Sequence, residues 1–297
     1  MHFTRRPEFL WQLRTRHLAL GLKTLVMGVL NITPDSFSDG GLYHNPQEAI
    51  AHGLRMLDQG ADILDIGGES TRPGQQQLVS ATEEQDRVLP VIAALLKERP
   101  GSVISIDTYK AATAKAAVAA GAEIVNDVSG FLWDASMAAA CADLQCGVVQ
   151  MHTRGRPDEW RSQPQLAAEE VLPLVKRELG ERLQAALDAG VSRSRIVLDP
   201  GYGFGKRLEN NYPLLAHQSE LRELGQPILS GVSRKSFLAR TLRELHGGSD
   251  ASMEERAHAT IAATTAAILA GADIVRVHDV RSAAEAACIA DAILSFS

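Results

Sequence analysis

Three cationic side chains lie close to the ends of the last two apolar runs of the chain. Lys235 follows the run 227–229, and Arg276 and His278 lie in and just after the run 274–277. Because Arg276 and His278 are two residues apart, their side chains point to the same side of a strand. In barrels of alternating strands and helices, the loops after the seventh and eighth strands commonly hold a phosphate. The three cations therefore predict a phosphate or diphosphate site.

Carboxylate and amide side chains follow the earlier apolar runs. Oxygen acceptors of this kind suit a planar, nitrogen-rich ligand with amidine-like N–H donors, whereas a neutral sugar phosphate would use fewer of them. Pairs of aspartates could equally bind a divalent metal ion, and a single one could cap the helix that follows it, as Asp107 could. The groups in question are Asp65, Asp107, Asn126 and Asp199.

The elements that position these groups follow a repeated pattern. Segments 59–70, 120–130 and 270–280 each place a glycine after small residues, then a β-branched apolar run that ends in polar residues. The glycine is typical of a helix C-terminus, and the continuous apolar run is typical of a parallel strand buried on both faces. The pattern predicts strands at 24–30, 63–66, 103–106, 124–125, 147–150, 196–198, 227–229 and 274–277. Helices are predicted at 46–59, 82–97, 110–120, 135–145, 166–189, 211–223, 253–270 and 282–295.

Eight alternations of strand and helix predict the α/β class and, within it, a closed (β/α)8 TIM barrel. An open, doubly wound sheet is the alternative architecture. We assign residues 1–23 to an N-terminal extension, in which 11–20 form a short β-hairpin that covers the floor of the barrel. Residues 24–297 form the barrel domain, and its active site is expected at the C-terminal ends of the strands.

The composition of the chain limits the kinds of molecule that the protein is expected to bind. The 297 residues are 45% hydrophobic and 22% charged, and the net charge of −6 argues against general binding of nucleic acid or anionic membranes. No apolar run is long enough to span a membrane, and the N-terminal residues lack the apolar core of a secretory signal. The three cysteines show no metal or disulfide spacing. We therefore expect a cytoplasmic protein with small-molecule partners, no nucleic acid and no membrane.

Two long segments, 31–44 and 67–79, follow the first two predicted strands. Both exceed the usual length of a strand–helix connection, and loops of this length over a barrel mouth commonly act as lids. The segment GYGFGK, 201–206, fails the Walker pattern, and its glycines instead allow the backbone to pass close to a flat ligand, with Phe204 as a wall. Lys235 could form a Schiff base, although a cationic anchor is the simpler role.

Seven motifs spread over most of the chain carry a resemblance to a known family. They are MGVLNITPDSFSDGG at 27–41, DIGGESTRPG at 65–74, SIDTYK, NDVSG, LDPGYGFGK, GVSRKSF and RVHDV. They resemble the motifs of the dihydropteroate synthases in that family's order, and the first two match its first two signatures. The resemblance implies a pterin-binding barrel, usually a homodimer, that joins (7,8-dihydropterin-6-yl)methyl diphosphate to 4-aminobenzoate and releases diphosphate in folate biosynthesis. It also implies a Mg²⁺ cofactor and a target for sulfonamides.

The resemblance assigns roles at the leaving-group end of the site. Asn31 matches the residue that binds Mg²⁺ together with the diphosphate, and Arg276 and His278 match the anion site. Thr71 matches a second-loop residue near the phosphates. Asp35 matches a first-loop carboxylate that steadies positive charge at the reacting carbon. The expected catalytic groups are Asp35, Lys235 and Arg276.

The resemblance also assigns contacts to the two substrate rings. The groups expected to hold the pterin are Asp107, Asn126, Asp199 and Lys235. The walls expected around the aminobenzoate, besides the two long loops, are Phe204, Lys235 and Ser236. The chain departs from the family's pattern at Phe131, where the residue is often Gly, and at Tyr202, where it is often Ile or Phe.

The implied mechanism is a dissociative substitution, in which diphosphate leaves before the arylamine attacks a delocalised pterin cation. Two other functions share part of this site. A pterin-binding methyltransferase, which moves a methyl group from a folate to a corrinoid, would need the acids but not the diphosphate site. A non-catalytic pterin-binding protein would bind the ligand without turnover.

Overall fold

The computed structural model describes residues 3–32, 46–70 and 79–296. An antiparallel hairpin of β1 (Phe9–Gln12) and β2 (His17–Leu20) precedes a sheet of eight parallel strands. These strands are β3 (Leu25–Asn31), β4 (Ile63–Gly67), β5 (Val103–Asp107), β6 (Ile124–Asp127), β7 (Gly147–Met151), β8 (Ile196–Asp199), β9 (Leu229–Ser230) and β10 (Ile274–Val277).

The eight parallel strands close into a barrel. Their order is β8, β7, β6, β5, β4, β3, β10, β9, so that the last strand of the chain pairs with the first barrel strand. The ring closes between β8 and β9, where Leu198 forms a parallel bridge with Ile228 and donates its N–H to the carbonyl oxygen of Pro227 at 3.0 Å. The predicted TIM barrel is confirmed, and the open-sheet alternative is wrong.

Nine α-helices are present in the described residues, and they pack around the outside of the barrel. They are α1 (Pro46–Asp58), α2 (Ala81–Glu98), α3 (Ala111–Ala119), α4 (Met137–Leu144), α5 (Ala168–Asp188), α6 (Asn211–Ala216), α7 (Ser236–Thr241), α8 (Ala257–Leu269) and α9 (Val280–Leu294). Among these described helices, none combines the length and the apolar character that crossing a membrane requires.

The structure differs from the predicted helices at three places. The predicted helix 211–223 divides into α6 and a 3-10 helix, Gln218–Leu224, because the backbone of His217 leaves the helical region at φ −111° and ψ 15°. The predicted helix 253–270 begins only at Ala257, since a turn precedes it in which the Ser252 hydroxyl accepts from the N–H of Glu255. The short helix α7 directly follows Lys235, and the sequence pattern does not predict it.

The barrel interior follows the two-residue period of its strands. On four strands an apolar side chain lies deep in the barrel, and the side chain two positions later lies at the mouth. The pairs are Ile63 and Asp65, Ile124 and Asn126, Val197 and Asp199, and Ile274 and Arg276. The same alternation that fills the lower barrel with apolar residues therefore lifts polar groups to its open end.

The N-terminal hairpin covers the floor of the barrel. Trp11, Leu13 and Leu20 are buried in one cluster with the deep residues of the barrel strands. Trp11 also donates from Nε1 to the carbonyl oxygen of Arg195, just before β8, at 2.8 Å. Because the chain itself fills the lower end, a ligand reaches the interior from the C-terminal ends of the strands.

Candidate active site

A partly buried arginine and two aspartates lie at the centre of the barrel mouth. Arg276 of β10 donates from Nε to Asp65 Oδ2 at 2.6 Å and from Nη2 to Asp107 Oδ2 at 2.5 Å. Asn126 of β6 donates from Nδ2 to the same Asp65 oxygen at 2.9 Å. Because β10 is the last strand of the barrel, only its pairing with β3 brings Arg276 to the side chains of the earlier strands.

Burial governs the charges of this cluster. It raises the pKa of Asp107 to about 7, although the Arg276 guanidinium acts in the opposite direction. Burial would lower the pKa of Arg276, but the carboxylates of Asp65 and Asp107 outweigh it, and the guanidinium pKa is raised. Arg276 is therefore charged at physiological pH, whereas Asp107 exchanges its proton near neutrality.

Asp65 keeps one buried oxygen for a ligand. Its side chain is 0% exposed, and within the residues that the structure describes its Oδ1 atom has no hydrogen-bond partner. A buried oxygen of this kind carries a desolvation penalty, so an N–H donor from a ligand would be favourable here. In the sequence Asp65 is one of the strand-end acids, with no role of its own, whereas the structure places it at the centre of the site.

Asn31, Asp107 and Asn126 lie in one row across the sheet. In the strand register Asn31 pairs with Gly67, Gly67 with Asp107, and Asp107 with Asn126. A Cβ atom on Gly67 would lie 3.4 Å from Asn31 Oδ1 and 3.6 Å from Asp107 Oδ2. An amide oxygen and a carboxylate oxygen thus face the same small space above a glycine.

These hard oxygen atoms fit Mg²⁺, which favours oxygen ligands and usually keeps substrate phosphates and waters in its shell. In the described ranges, no group of three or more His, Cys, Asp or Glu side chains is arranged to hold a metal ion. A metal at Asn31 would therefore need further oxygen ligands from the substrate.

Asp199 adjoins the arginine cluster from β8. A Cβ atom on Gly231 would lie 3.9 Å from Arg276 Cβ and 4.0 Å from Asp199 Oδ2, so only a glycine separates the two side chains. Burial raises the pKa of Asp199, while the N–H of Gly201 at 2.7 Å from Oδ1 and the ammonium of Lys235 lower it. The four groups expected to hold the pterin therefore lie around one opening.

Phe204 and Lys235 meet beside that opening. Lys235 Nζ lies 3.9 Å from the centroid of the Phe204 ring, and Trp160 contacts the same ring edge-on with centroids 5.3 Å apart. The Lys235 side chain lies against Gly203, where an added Cβ atom would approach Lys235 Cδ to 3.3 Å. Ser236 follows directly as the first residue of α7. Sequence reasoning does not single out Trp160, because no spacing relates it to Phe204.

A buried lysine ties the glycine-rich segment to the end of β7. Lys206 Nζ donates to the carbonyl oxygens of Gly201 at 2.7 Å and Phe204 at 3.3 Å, and to that of His152, just after β7, at 3.4 Å. Burial lowers the pKa of Lys206 well below its usual value. Gly201 has φ +66°, and a Cβ atom on it would lie 1.9 Å from the carbonyl oxygen of His152. The close approach that the glycines allow is therefore to the backbone of the neighbouring strand end, and it sets the position of Phe204.

His278 is held by Ser233 at the last strand end. Ser233 Oγ lies 3.0 Å from His278 Nδ1 and accepts from the His278 N–H at 3.3 Å. The contact joins the segments that follow β9 and β10, which are the segments where the sequence predicts an anion site. Ser233 is a strand-end residue to which the sequence pattern gives no role.

Two other strand-end residues, Asp127 and His152, form contacts within the fold. Asp127 is buried and accepts from the N–H groups of Ser129 at 2.7 Å and Phe131 at 3.0 Å. Phe131 adopts φ +74°, a region that favours glycine, which accounts for the family's frequent Gly there. His152 is buried with Nε2 3.0 Å from Glu178 Oε2.

Asp35 and Thr71 lie outside the described residues, as does most of the two long segments after β3 and β4. The described start of the second segment is held firmly. Arg87 donates from Nη1 to the carbonyl oxygen of Gly68 at 2.7 Å, and Glu69 accepts from the Tyr109 hydroxyl at 3.0 Å.

Together these features define a barrel enzyme whose mouth accepts a flat, nitrogen-rich ring beside an anionic group. A profile described as pterin binding enzyme matches residues 27–278 of the chain. The dihydropteroate synthase of Bacillus subtilis (strain 168) is 45% identical over 273 residues, which are 92% of this chain and 90% of that protein. The chain belongs to the dihydropteroate synthases, a family of pterin-binding enzymes.

Solved structures of this family have the same fold. The Xanthomonas albilineans dihydropteroate synthase with 4-aminobenzoic acid superposes with a TM-score of 0.85 at 41% identity, over 97% of this chain and 98% of that one. The same organism's enzyme in complex with 7,8-dihydropteroate superposes with a TM-score of 0.78 at 40% identity, over 93% of this chain and 95% of that one.

Proposed function

We propose that this chain, a transferase of folate biosynthesis, condenses (7,8-dihydropterin-6-yl)methyl diphosphate with 4-aminobenzoate at the barrel mouth by dissociative substitution. The observation that carries the proposal is the cluster of Arg276 with Asp65, Asp107 and Asn126, next to Lys235 and Phe204. It offers acceptors for a pterin and an aromatic wall for an arylamine within one opening. The relatives bound to 4-aminobenzoic acid and to 7,8-dihydropteroate support the same two ligands.

The pterin ring is proposed to bind among the buried acids. Asp65 Oδ1, which lacks a donor among the described residues, and the Asp199 carboxylate accept N–H groups of the ring. Asn126 offers both a donor and an acceptor, and the Lys235 ammonium donates to a ring acceptor. Because the site is buried and its groups are fixed by one another, these hydrogen bonds are stronger than they would be in water.

The diphosphate is proposed to lie toward Asn31 and His278. Arg276 uses Nε and Nη2 for Asp65 and Asp107, so its guanidinium approaches the leaving group with Nη1, for which no described residue provides an acceptor. Asn31 would hold Mg²⁺ with the diphosphate oxygens, and the ion when bound neutralises charge on the leaving group. Thr71 is proposed to add a hydroxyl near the phosphates.

The arylamine is proposed to bind against the Phe204 wall while diphosphate is still in the site, and to attack once the bond between the pterin methylene and diphosphate has broken. An aniline is a weak nucleophile, so much of the rate must come from holding its nitrogen at the reacting carbon. Phe204, Lys235 and Ser236 orient the ring, and the carboxylate of Asp35 stabilises positive charge on the pterin methylene. We assign no general base, because the arylammonium product loses its proton readily.

We further propose a homodimer in the cytoplasm. Ile289 and Ile293 of α9 are 64% and 40% exposed, which leaves apolar surface for a second copy to cover. The cysteines are free thiols, as a reducing compartment allows. Sedimentation at low micromolar concentration is expected to give twice the mass of the chain, and a monomer would contradict this assignment.

Capture of 4-aminobenzoate tests the function. The retained fraction of labelled 4-aminobenzoate is measured with protein and Mg²⁺, with and without diphosphate and a pterin. We expect retention only when diphosphate is present, because that anion completes the arene site. Retention of 4-aminobenzoate that does not depend on diphosphate would contradict the proposal. It would indicate that the barrel mouth has no binding site for the diphosphate leaving group.

A further inference from the structure

The residue before Lys235 has a strained backbone. Arg234 adopts φ +58°, and it is one of three non-glycine residues with positive φ in the described part of the chain. Residues with a side chain rarely occupy this left-handed region, and such strain persists only where surrounding contacts impose it. The contacts of Arg234 therefore help to decide where Lys235 points.

Thr260 of helix α8 and Arg256, the residue just before α8, form hydrogen bonds with the two peptide groups that flank Arg234. The Arg234 N–H donates to Thr260 Oγ1 at 3.1 Å, and Arg256 Nη1 donates to the Arg234 carbonyl oxygen at 3.0 Å. Arg256 is itself fixed, since its Nε donates to the carbonyl oxygen of Ala251 at 2.9 Å. Because φ and ψ describe how the two flanking peptide planes are oriented, bonds to both planes fix the left-handed conformation.

The left-handed conformation of Arg234 orients the active-site residues on either side of it, Ser233 and Lys235. Before it, Ser233 Oγ contacts His278 Nδ1 at 3.0 Å. After it, Lys235 crosses Gly203 and places Nζ 3.9 Å from the centroid of the Phe204 ring. If Arg234 relaxed to a common backbone region, the chain direction would change between these two residues, and both contacts could not persist.

We propose that Thr260 and Arg256 are positioning residues of the active site. They hold Arg234 in its left-handed conformation, so that Ser233 and Lys235 remain directed at the barrel mouth. Thr260 is buried and acts through the Arg234 backbone. The inference rests on the proposed function, in which Lys235 contacts both substrate rings.

Thr260→Val tests the inference, because it removes the hydroxyl and keeps the shape of the side chain. Thr264→Val is the matched control, since Thr264 lies one turn further along α8, is 1% exposed, and has a buried hydroxyl with no partner among the described residues. We expect Thr260→Val to lower kcat and to weaken pteroic acid binding by about 10- to 100-fold, because small displacements of positioned groups are costly. Thr264→Val is expected to keep wild-type values, with a similar Tm for both variants.

Rescue distinguishes positioning from a general loss of stability. Thr260→Ser restores the hydroxyl and is expected to restore binding. Arg234→Gly in the Thr260→Val background is expected to recover most of the lost affinity, because glycine adopts positive φ without strain. A purely structural Thr260 would lower Tm, and glycine at 234 would not restore the affinity for pteroic acid.

Equal binding and turnover in Thr260→Val and Thr264→Val would overturn the inference, and so would failure of the glycine rescue. If Thr260→Val does not fold, Arg256→Met removes the other bond from a partly exposed position and is expected to give the same loss and the same rescue. Calorimetry with pteroic acid does not depend on turnover. A wild-type chain that binds pteroic acid but makes no dihydropteroate would therefore overturn the proposed function alone, and the binding comparison would still decide the inference.

Discussion

Asp65, Asp107 and Arg276 form a partly buried cluster of two carboxylates and one cation. Burial is the main cause of the raised pKa of about 7 at Asp107, and the neighbouring carboxylate of Asp65 raises it further. Below that pH the cluster is close to neutral. A pterin that donates N–H groups can then bind without bringing a charge into the barrel.

Asp107→Asn tests the raised pKa through stability. The folded state holds the Asp107 proton up to about pH 7, whereas the unfolded chain releases it near the ordinary value of 3.8. The Asp107 contribution to the free energy of unfolding therefore falls as pH rises through this window, by up to about 1.4 kcal/mol per pH unit. Asparagine removes this decline, so the stability of the variant relative to wild type should rise from pH 4 to 7 and then level off.

Denaturant titrations at several pH values measure this difference. Asp86→Asn, at an exposed position of α2, is the control and is expected to show no such trend. If the Asp107→Asn variant and the wild type have parallel pH profiles between pH 4 and 7, the raised pKa of Asp107 is wrong.

Arg276→Met tests the role of the guanidinium at the leaving group. We expect the affinity for the pterin diphosphate to fall about 10- to 100-fold more than the affinity for the same pterin without diphosphate, since a charge-assisted hydrogen bond contributes about 1.5–3 kcal/mol. Calorimetry at pH 6 keeps Asp107 largely protonated, which limits repulsion with Asp65. Arg161→Met removes an exposed arginine and controls for net charge. Equal losses for both ligands in Arg276→Met would contradict the anion role.

At the scale of elements, the strands were the part that the sequence could predict. Each barrel strand is buried on both faces, so it reads as a continuous apolar run, and all eight overlap the runs that predict them, β9 by a single residue. Helix ends were less predictable, because hydrogen bonds such as that between Ser252 and Glu255 decide them. Helix α7 has only six residues and gives no periodic signal.

Gly201→Ala tests the packing of the glycine-rich segment on β7. Gly225 is a matched control, because both glycines have positive φ but a Cβ atom on Gly225 would meet nothing within 4 Å. Gly225→Ala is expected to lose about 1 kcal/mol of stability from backbone strain alone. Gly201→Ala should lose about 1–3 kcal/mol more from the clash with the His152 carbonyl, and KM for 4-aminobenzoate should rise because Phe204 moves. Equal effects of the two substitutions would show that the contact does not position Phe204.

Trp11→Ala tests the hairpin that covers the barrel floor. Trp11 is 1% exposed, and its loss is expected to cost about 3–5 kcal/mol of unfolding free energy. Leu10→Ala, on the opposite face of β1 where Leu10 is 51% exposed, should change it by less than about 0.5 kcal/mol. The kcat of folded protein should be unchanged in both, since the hairpin lies at the end opposite the mouth. A lowered kcat in folded Trp11→Ala would mean that the floor affects the site.

At the scale of the whole molecule, closure of the barrel brings the residues of the active site together. Sequence reasoning could place Asp107, Asn126, Asp199, Lys235 and Arg276 at one mouth, because the ends of parallel barrel strands meet there. It could not predict their partners. The sequence pattern groups Arg276 with the other cations around an anion. In the structure two nitrogens of the Arg276 guanidinium bind Asp65 and Asp107. Such pairings depend on side-chain reach across the barrel, as does the contact of Trp160 with Phe204.

Formation of dihydropteroate is the most direct test of the proposed transferase activity. Purified protein is mixed with (7,8-dihydropterin-6-yl)methyl diphosphate, 4-aminobenzoate and Mg²⁺, and 7,8-dihydropteroate and diphosphate are quantified over time. We expect both products to appear in equal amounts and omission of 4-aminobenzoate to abolish dihydropteroate. Tight binding of both substrates with no dihydropteroate formed would contradict that activity.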